Sequence, residues 1–507
     1  MSWWLWVLVV IGGTLAAVTC YDLLQRKHTI LRNFPIIGHL RYMLEAIGPE
    51  LRQYIVTDND SDKPFSRDER RWVYTSAKQT NNYYGFGTDN DLEGSSHYLI
   101  IKHASFPLDE AYASRDDASC SLPVAKVLGG SRNRRLAFRP ASAVNISSMS
   151  FGSLSARAVE SLNRGAALAG CWHGTGEGGI TDHHRHGGDL VWQIGTGYFG
   201  CRDADGRFDL ARFRDVVEAE PAIRAIEIKL SQGAKPGIGG ILPAAKVTRE
   251  IARIRGVPIG VDCVSPATHS AFHDADSMLD FVELLAETSG RPVGIKSAVG
   301  DDALFRDLAR LMARGDRGVD FVTIDGGEGG TGAGPLVFTD HVALPFKVGF
   351  ARVYRIFAEA GITDRVVFFG AGKLGLPGPA LLAFALGCDG VNVGREAMLA
   401  IGCIQAQRCH TDRCPTGVTT HSRWRQRGLD PTDKSVRCAN YIVQLRRELL
   451  RLSRACGVAH PALVTTDQIE ILDGHFGARV AREVFGYEPG WGLPSASDQN
   501  AIRTLMM

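Results

Sequence analysis

The chain of 507 residues has length for about three domains of roughly 150 residues each, and its 45% hydrophobic and 22% charged residues exclude a disordered chain and a multi-span membrane protein. Lys and Arg number 57 against 55 Asp and Glu, a formal charge of +2 that gives no reason to expect nucleic acid as a partner. Eleven cysteines are too sparse for a disulfide-dense secreted scaffold, whereas 57 glycines gathered in clusters point to loops that carry backbone close to a ligand.

From Trp3 to Tyr21 no residue is charged. As a helix this run measures roughly 28 Å at about 1.5 Å per residue, enough to span a bilayer once. No basic residue precedes Trp3, Ala17-Val18-Thr19 is a poor cleavage site, and Thr19 before Cys20 argues against a lipoprotein signal. Arg26, Lys27, Arg32 and Arg41 follow the span. The positive-inside rule then makes residues 1–24 a single-pass anchor in the cytoplasmic membrane, with the rest of the chain in the cytoplasm. Residues 25–94 mix short apolar pieces with polar segments such as DNDSDKPFSRDERR and read as a juxtamembrane region.

After Ala141 the pattern becomes short apolar runs ending in Gly or polar clusters, each followed by a helix-like stretch. The runs fall at 144–152, 190–197, 225–233, 258–266, 292–300, 320–330, 366–375 and 390–398, with helical stretches such as LSARAVESLNRGAALAG and DALFRDLARLMARG between them. Alternating strands and helices predict an α/β fold with a parallel sheet, and eight runs over about 250 residues predict a closed (β/α)8 barrel. A doubly wound open sheet is the alternative. Ligand chemistry in such a barrel sits at the C-terminal ends of the strands, where the glycine clusters lie.

The last two runs, FFGAGKLG and NVGREAM, place Gly370, Gly372 and Gly394 where a helix should start, with Arg395 beside them. Exposed backbone N–H groups at such turns make an anion site, and barrels often keep a phosphate there. The loop DGGEGGTGAGP (325–335), with Gly329 and Gly330 at its centre, lets a planar ligand lie against the main chain. Glu177 in GTGEGG and Lys235 in SQGAKPG are single charges inside Gly-rich loops at the predicted active face.

Cys403, Cys409 and Cys414 stand together in GCIQAQRCHTDRCPTGV. A structural zinc site needs a fourth ligand, for which His410 could serve; the three thiolates can instead hold an iron–sulfur cluster, and Pro415 after the last Cys matches a bacterial ferredoxin habit. The run DHHRH (182–186) reads as a solvated polar loop rather than a metal site.

The motifs NISSMSFGSLS, GTGEGG, IKLSQGAKPGIGGILP, GGTGAGP and GCIQAQRCHTDRCPTGV resemble, in order, the central synthase domain of glutamate synthases from about Asn145 to Ile471. The resemblance implies a domain over 95–471 that binds FMN, with a three-iron four-sulfur cluster on Cys403, Cys409 and Cys414. It implies an enzyme in which ammonia and 2-oxoglutarate condense to an imine that reduced FMN converts to L-glutamate. By motif, Ser148 and Met149 lie by the flavin ring, Lys296 faces its pyrimidine edge, and Gly370, Gly372, Gly394 and Arg395 hold its phosphate. Glu177, Gln232 and Lys235 line the substrate pocket.

The departures from that family also carry expectations. The N-terminal region lacks the family's glutaminase with its cysteine nucleophile. The tail 472–507 is too short for the family's terminal β-helix, and no dinucleotide fingerprint follows a strand. Ammonia is then free or supplied by a separate protein, and electrons come from a separate donor, a ferredoxin or a reductase subunit. Tyr198 and Ile238 stand where the family usually has Arg and Glu. A tyrosine replaces a bidentate carboxylate partner with one neutral hydrogen bond. A different 2-oxo acid or imine substrate is therefore an alternative, and restoring Arg at Tyr198 is expected to raise 2-oxoglutarate turnover. A membrane-docked electron-transfer subunit without synthase chemistry is the other.

Overall fold

Short apolar runs ending in glycine or polar residues fold as eight barrel strands. They are β1 Val144–Ile146, β2 Trp172–Gly174, β3 Asp189–Ile194, β4 Ile223–Lys229, β5 Val293–Ser297, β6 Phe321–Asp325, β7 Val367–Ala371 and β8 Gly390–Val393. The computed structural model describes residues 2–506 except Arg26, Tyr84 and 109–119, so the charge expected at Arg26 lies outside the described residues. All eight strands pair in parallel and in chain order, and β8 closes on β1 through Val391 with Val144, Asn392 with Asn145 and Val393 with Ile146. The closed (β/α)8 barrel is thus the observed fold. Its strands are buried on both faces, as helices on the outside of a parallel barrel require.

Inside the barrel Trp172 packs edge-on against Phe369, with ring centroids 4.8 Å apart. Outside, caps set the helix limits: Ser155 accepts from Ala158 N to start Ala156–Ala169, and Gly170 at φ 64° ends it. This helix meets the long helix Pro431–Ala455 so closely that a Cβ on Gly165 would stand 2.7 Å from Cys438 Cβ. The barrel wall also holds a buried ion pair. Lys126 Nζ donates to Asp389 Oδ2 at 3.0 Å, Val366 O at 2.9 Å and Thr363 O at 3.0 Å, and Asp389 also accepts from Phe368 N.

One expected strand is misplaced. The run 258–266 contributes only Cys263–Val264, paired antiparallel with Ile241–Leu242 outside the barrel. Its Ile259, Val261 and Val264 are exposed, so its apolar residues do not serve a core. The barrel position goes instead to β2, whose three residues are too few to show a pattern. The run DHHRH is also less solvated than expected. His184 is fully buried and caps its own turn by accepting from Thr181 N, while His183 pairs with Glu250 at 3.0 Å.

The chain forms two compact units, Met1–Asp68 and Glu69–Met507. In the first, the helix Trp3–Leu24 is long and apolar enough to cross a membrane. Near its end Asp22 is buried, accepting from Ile36 N at 3.0 Å and bonding His39 Nε2 at 3.0 Å. In the second unit, part of the stretch expected to be juxtamembrane joins the barrel: Tyr74 Oη donates to Cys403 O at 2.8 Å and Asn440 Nδ2 to Ala77 O at 3.1 Å. The C-terminal tail packs there as well. The strands Ile469–Leu472 and Ala478–Val480 form a sheet with Leu99–Ile101, and Tyr487 Oη donates to Leu386 O at 2.8 Å.

Candidate active site

Polar residues on barrel strands are costly unless they meet partners at the open end. On β4 the period of two puts Glu227 and Lys229 on one face, and both find partners at the C-terminal end of the barrel. Glu227 accepts from Gln193 Nε2 at 2.7 Å, Thr323 Oγ1 at 2.8 Å and Ser148 Oγ at 3.3 Å, joining β3, β6 and the loop after β1. Lys229 Nζ donates to Glu177 Oε1 at 2.7 Å and to Gln232 Oε1 at 3.1 Å. Lys229, Glu177 and Gln232 face one cleft, whose lining also includes Thr196, Ile238 and Ala267. Burial opposes ionisation of Glu177, but the Lys229 ammonium outweighs it and holds the carboxyl below its usual pKa.

The loop after β4 is laced to the Gly-rich loop after β6. Gln232 Nε2 donates to Gly330 O at 3.2 Å, Gly233 N to Asp325 Oδ2 at 3.1 Å and Lys235 Nζ to Ala333 O at 2.7 Å. Gly233 is needed for this approach, since a Cβ there would stand 1.7 Å from Gly326 O. Lys296 at the end of β5 lies 3.3 Å from Asp325 Oδ2. Burial disfavours its charge, yet Asp325 and Glu227 outweigh burial and raise its pKa. Lys235 has no carboxylate in hydrogen-bond contact, and burial together with the Lys229 charge lowers its pKa to about 8.

The ends of β7 and β8 form a backbone cradle. Gly372 takes φ 114°, and a Cβ there would crowd Gly326 N at 3.0 Å. A Cβ on Gly330 would stand 2.7 Å from Arg395 Cδ, and Arg395 Nη2 donates to Glu328 O. Beside Gly394 the space is open, bounded by Ser147 Cβ at 3.6 Å and Met149 Sδ at 3.8 Å. Asn392 Oδ1 on β8 is buried with no hydrogen-bond partner among the described residues. Backbone at glycine turns, an arginine and an orphaned acceptor fit a flat cofactor that carries a phosphate. Gly370 differs: a Cβ there would meet Phe346 Cζ and Leu374 Cδ1, both at 2.7 Å, so its missing side chain serves packing.

Tyr198 is not among the residues lining the cleft. The GTGYFG turn puts it at φ 46°, and its ring is fully buried. Its hydroxyl donates to His269 Nδ1 at 3.0 Å and accepts from Ala271 N at 3.1 Å, while His269 Nε2 donates to Lys229 O at 2.9 Å. Tyr198 therefore reaches the cleft through His269, whereas Ile238 lines it directly. An arginine in place of Tyr198 would enter a closed site beside Phe208 and His269, outside the residues that line the cleft, so the expected gain from restoring Arg has no support in the geometry.

The cysteine loop is bound to the loop after β1. Lys246 Nζ donates to Ser153 O at 2.6 Å and Cys409 O at 3.1 Å, His421 Nε2 to Gly152 O at 2.9 Å, and Ser155 N to Val418 O at 2.9 Å. Cys403 Sγ accepts from Gln405 N at 3.4 Å, and Cys414 Sγ lies 3.5 Å from Thr416 Oγ1. Burial pushes the Cys403 thiol up to about 12. It also opposes the Cys414 thiolate, but hydrogen bonds from Thr416 and Thr419 bring that thiol below its usual pKa. Among the described residues no group of three His, Cys, Asp or Glu is placed to hold a metal ion. A cluster places its thiolates on separate irons, and three thiols with hydrogen-bond donors around them suit that ligand set.

Residues 130–459 match the family described as the conserved region in glutamate synthase. The glutamate synthase large subunit-like protein YerD of Bacillus subtilis is 36% identical over 86% of this chain and 88% of its own length. An archaeal glutamate synthase [NADPH] of Methanocaldococcus jannaschii is 35% identical over 62% of this chain, which spans only 59% of that enzyme. A flavocytochrome b2 variant with pyruvate bound is a distant structural neighbour, 14% identical with a TM-score of 0.41 over 84% of this chain and 91% of that one. A family match over more than half of the chain, together with a relative of similar length, shows that this chain belongs to the glutamate synthase family.

Proposed function

We propose that the chain is an oxidoreductase that reduces the imine of 2-oxoglutarate and ammonia to L-glutamate. The observation that carries this reading is the cleft in which Lys229, Glu177 and Gln232 meet beside the Lys296–Asp325 pair and the glycine cradle. When bound, FMN supplies hydride from its N5 and a three-iron four-sulfur cluster supplies one-electron entry. The chain's own residues bind and orient. Lys229 and Lys235 attract the acid groups of the substrate, Glu177 holds Lys229 in place, and Gln232 links that grip to the Gly-rich loop. Lys296, kept charged by Asp325, would be the cation at the flavin site, where a positive charge favours a reduced anionic flavin. Ser148 and Met149 would border the ring, Gly329 and Gly330 would let it lie against the loop, and Gly372, Gly394 and Arg395 would take the phosphate. Cys403, Cys409 and Cys414 hold the cluster.

Trp3–Leu24 anchors the protein in the cytoplasmic membrane with the barrel in the cytoplasm, and a separate protein donates electrons. Ile238 in the cleft wall favours a second reading, with the same cofactors and a less polar 2-oxo acid.

Because Lys235 loses its charge near pH 8, capture of the keto acid should weaken as pH rises through that value. The expected result is a fall of kcat/KM above about pH 8 that flattens in Lys235→Met. The decisive experiment reduces the anaerobic protein with dithionite and adds 2-oxoglutarate and ammonium while flavin absorbance is followed. Reoxidation that needs both additions and yields glutamate supports the reading. A flavin that reoxidises only with another 2-oxo acid supports the second, and one that responds to protein or quinone acceptors alone leaves an electron-transfer subunit.

A further inference from the structure

In the first unit the helix Ile37–Leu51 turns an apolar face to solvent. Ile37, Leu40, Met43, Leu44, Ile47 and Leu51 are all exposed, Ile37 at 74% and Leu40 at 52%. At about 100° per residue they share an arc about 120° wide, the width with which a helix usually meets a core. Arg41 and Glu45 lie outside that arc and pair with each other, Nε to Oε1 at 2.9 Å. A contiguous exposed apolar face rimmed by polar residues marks an interaction surface.

The start of this helix is pinned to the end of the apolar helix before it. Asp22, in the last turn of Trp3–Leu24, is buried, accepts from Ile36 N at 3.0 Å and lies 3.0 Å from His39 Nε2. Ile36 takes φ 62° in making the turn, a costly conformation for a β-branched residue. Between the two helices, Thr29–Asn33 sets Leu31 so close to Gly38 that a Cβ there would stand 3.0 Å from Leu31 Cδ2. Asp22 stands roughly 28 Å along its helix from Trp3, close to the hydrocarbon thickness of a bilayer. The first turn of Ile37–Leu51 is therefore held at the level where the span would leave the hydrocarbon. Residues 25–56 contain five Lys or Arg and two Glu, a balance that anionic headgroups attract.

We propose that Ile37–Leu51 lies in the surface of the bilayer, its apolar face at the boundary between headgroups and acyl chains. The inference rests on the reading of Trp3–Leu24 as a membrane anchor, and it adds a second membrane element of a different kind. His39, Arg41, Glu45 and Glu50 bar this helix from crossing. The spacing of Ile37, Leu40, Leu44, Ile47 and Leu51 also matches a coiled-coil seam. That seam would run for only about two heptads, short of the three or four it needs, and Gly48 and Pro49 interrupt it. A single span fixes depth and leaves the chain free to turn about the span's axis, whereas a helix seated in the surface removes that freedom.

The test uses the full chain in nanodiscs of phosphatidylcholine and phosphatidylglycerol, doped with a phosphatidylcholine that carries a photoactivatable diazirine on its acyl chain. After irradiation and proteolysis, mass spectrometry locates the lipid adducts. Wild type should be labelled in 3–24 and also in 37–51. Leu40→Asp combined with Leu44→Asp and Ile47→Asp should lower the labelling of 37–51 by about tenfold or more while that of 3–24 and the thermal midpoint of the barrel stay the same. Wild-type labelling confined to 3–24 overturns the proposal, as does labelling of 37–51 that the triple variant leaves unchanged. Adducts on 37–51 that vanish in discs holding two chains also overturn it, because a second copy then covers the face. Absence of adducts from 3–24 as well refutes the anchor on which the inference rests.

Discussion

Replacing Lys229 with methionine should lower kcat/KM for 2-oxoglutarate and ammonium by a hundredfold or so while the flavin spectrum persists. Lys229 lines the cleft, and its ammonium touches both Glu177 and Gln232. The substitution removes a carboxylate-binding group and leaves Glu177 without its partner in a site where that pair is 11% and 16% exposed. Breaking such a pair costs on the order of 3 kcal/mol, which is roughly a hundredfold in rate when it bears on the transition state. Retention of flavin is expected because the phosphate cradle and Lys296 are untouched. Glu177→Gln in the same background should add little, since the two side chains act as one unit. A change of less than about tenfold in steady-state assays would show that Lys229 does not grip the substrate.

Lys126→Met should destabilise the barrel by about 3–5 kcal/mol, the cost of leaving a buried charge alone. Lys126 and Asp389 are 6% and 2% exposed, and Asp389 would keep only its bond from Phe368 N. The carboxylate would then be protonated or hydrated at the expense of the wall between β7 and β8. Thermal unfolding of the full chain in micelles should show a lower midpoint for Lys126→Met. The double variant Lys126→Met, Asp389→Asn should recover part of it, because removing both charges costs less than removing one. A double variant no better than the single would assign the loss to packing around the lysine stem.

Strand and helix alternation was legible in the chain because its signals are local: apolar runs of five to seven residues, glycines where they stop, and caps such as Ser155. Seven of the eight expected runs supply barrel strands. The eighth failed because Trp172–Gly174 is selected by its neighbours on both sides and carries no periodicity of its own. The motifs likewise led to Glu177, Gln232, Lys235 and Lys296, which the barrel gathers at one end. Lys229 and Glu227 were overlooked although their spacing on one strand marks both as facing the same way.

Chain order already contains the parallel barrel and the end at which its loops gather, because these follow from hydrophobic period and glycine position. Which loop residues touch is a different matter. Glu177 and Lys229 are 52 residues apart, and their contact at 2.7 Å arises because β2, β3 and β4 are neighbours in a closed sheet. Tyr198 is closer in sequence to both Glu177 and Lys229, yet the left-handed turn buries its hydroxyl against His269. Local propensity decides where a strand ends, and closure of the sheet decides which side chains then share a cleft.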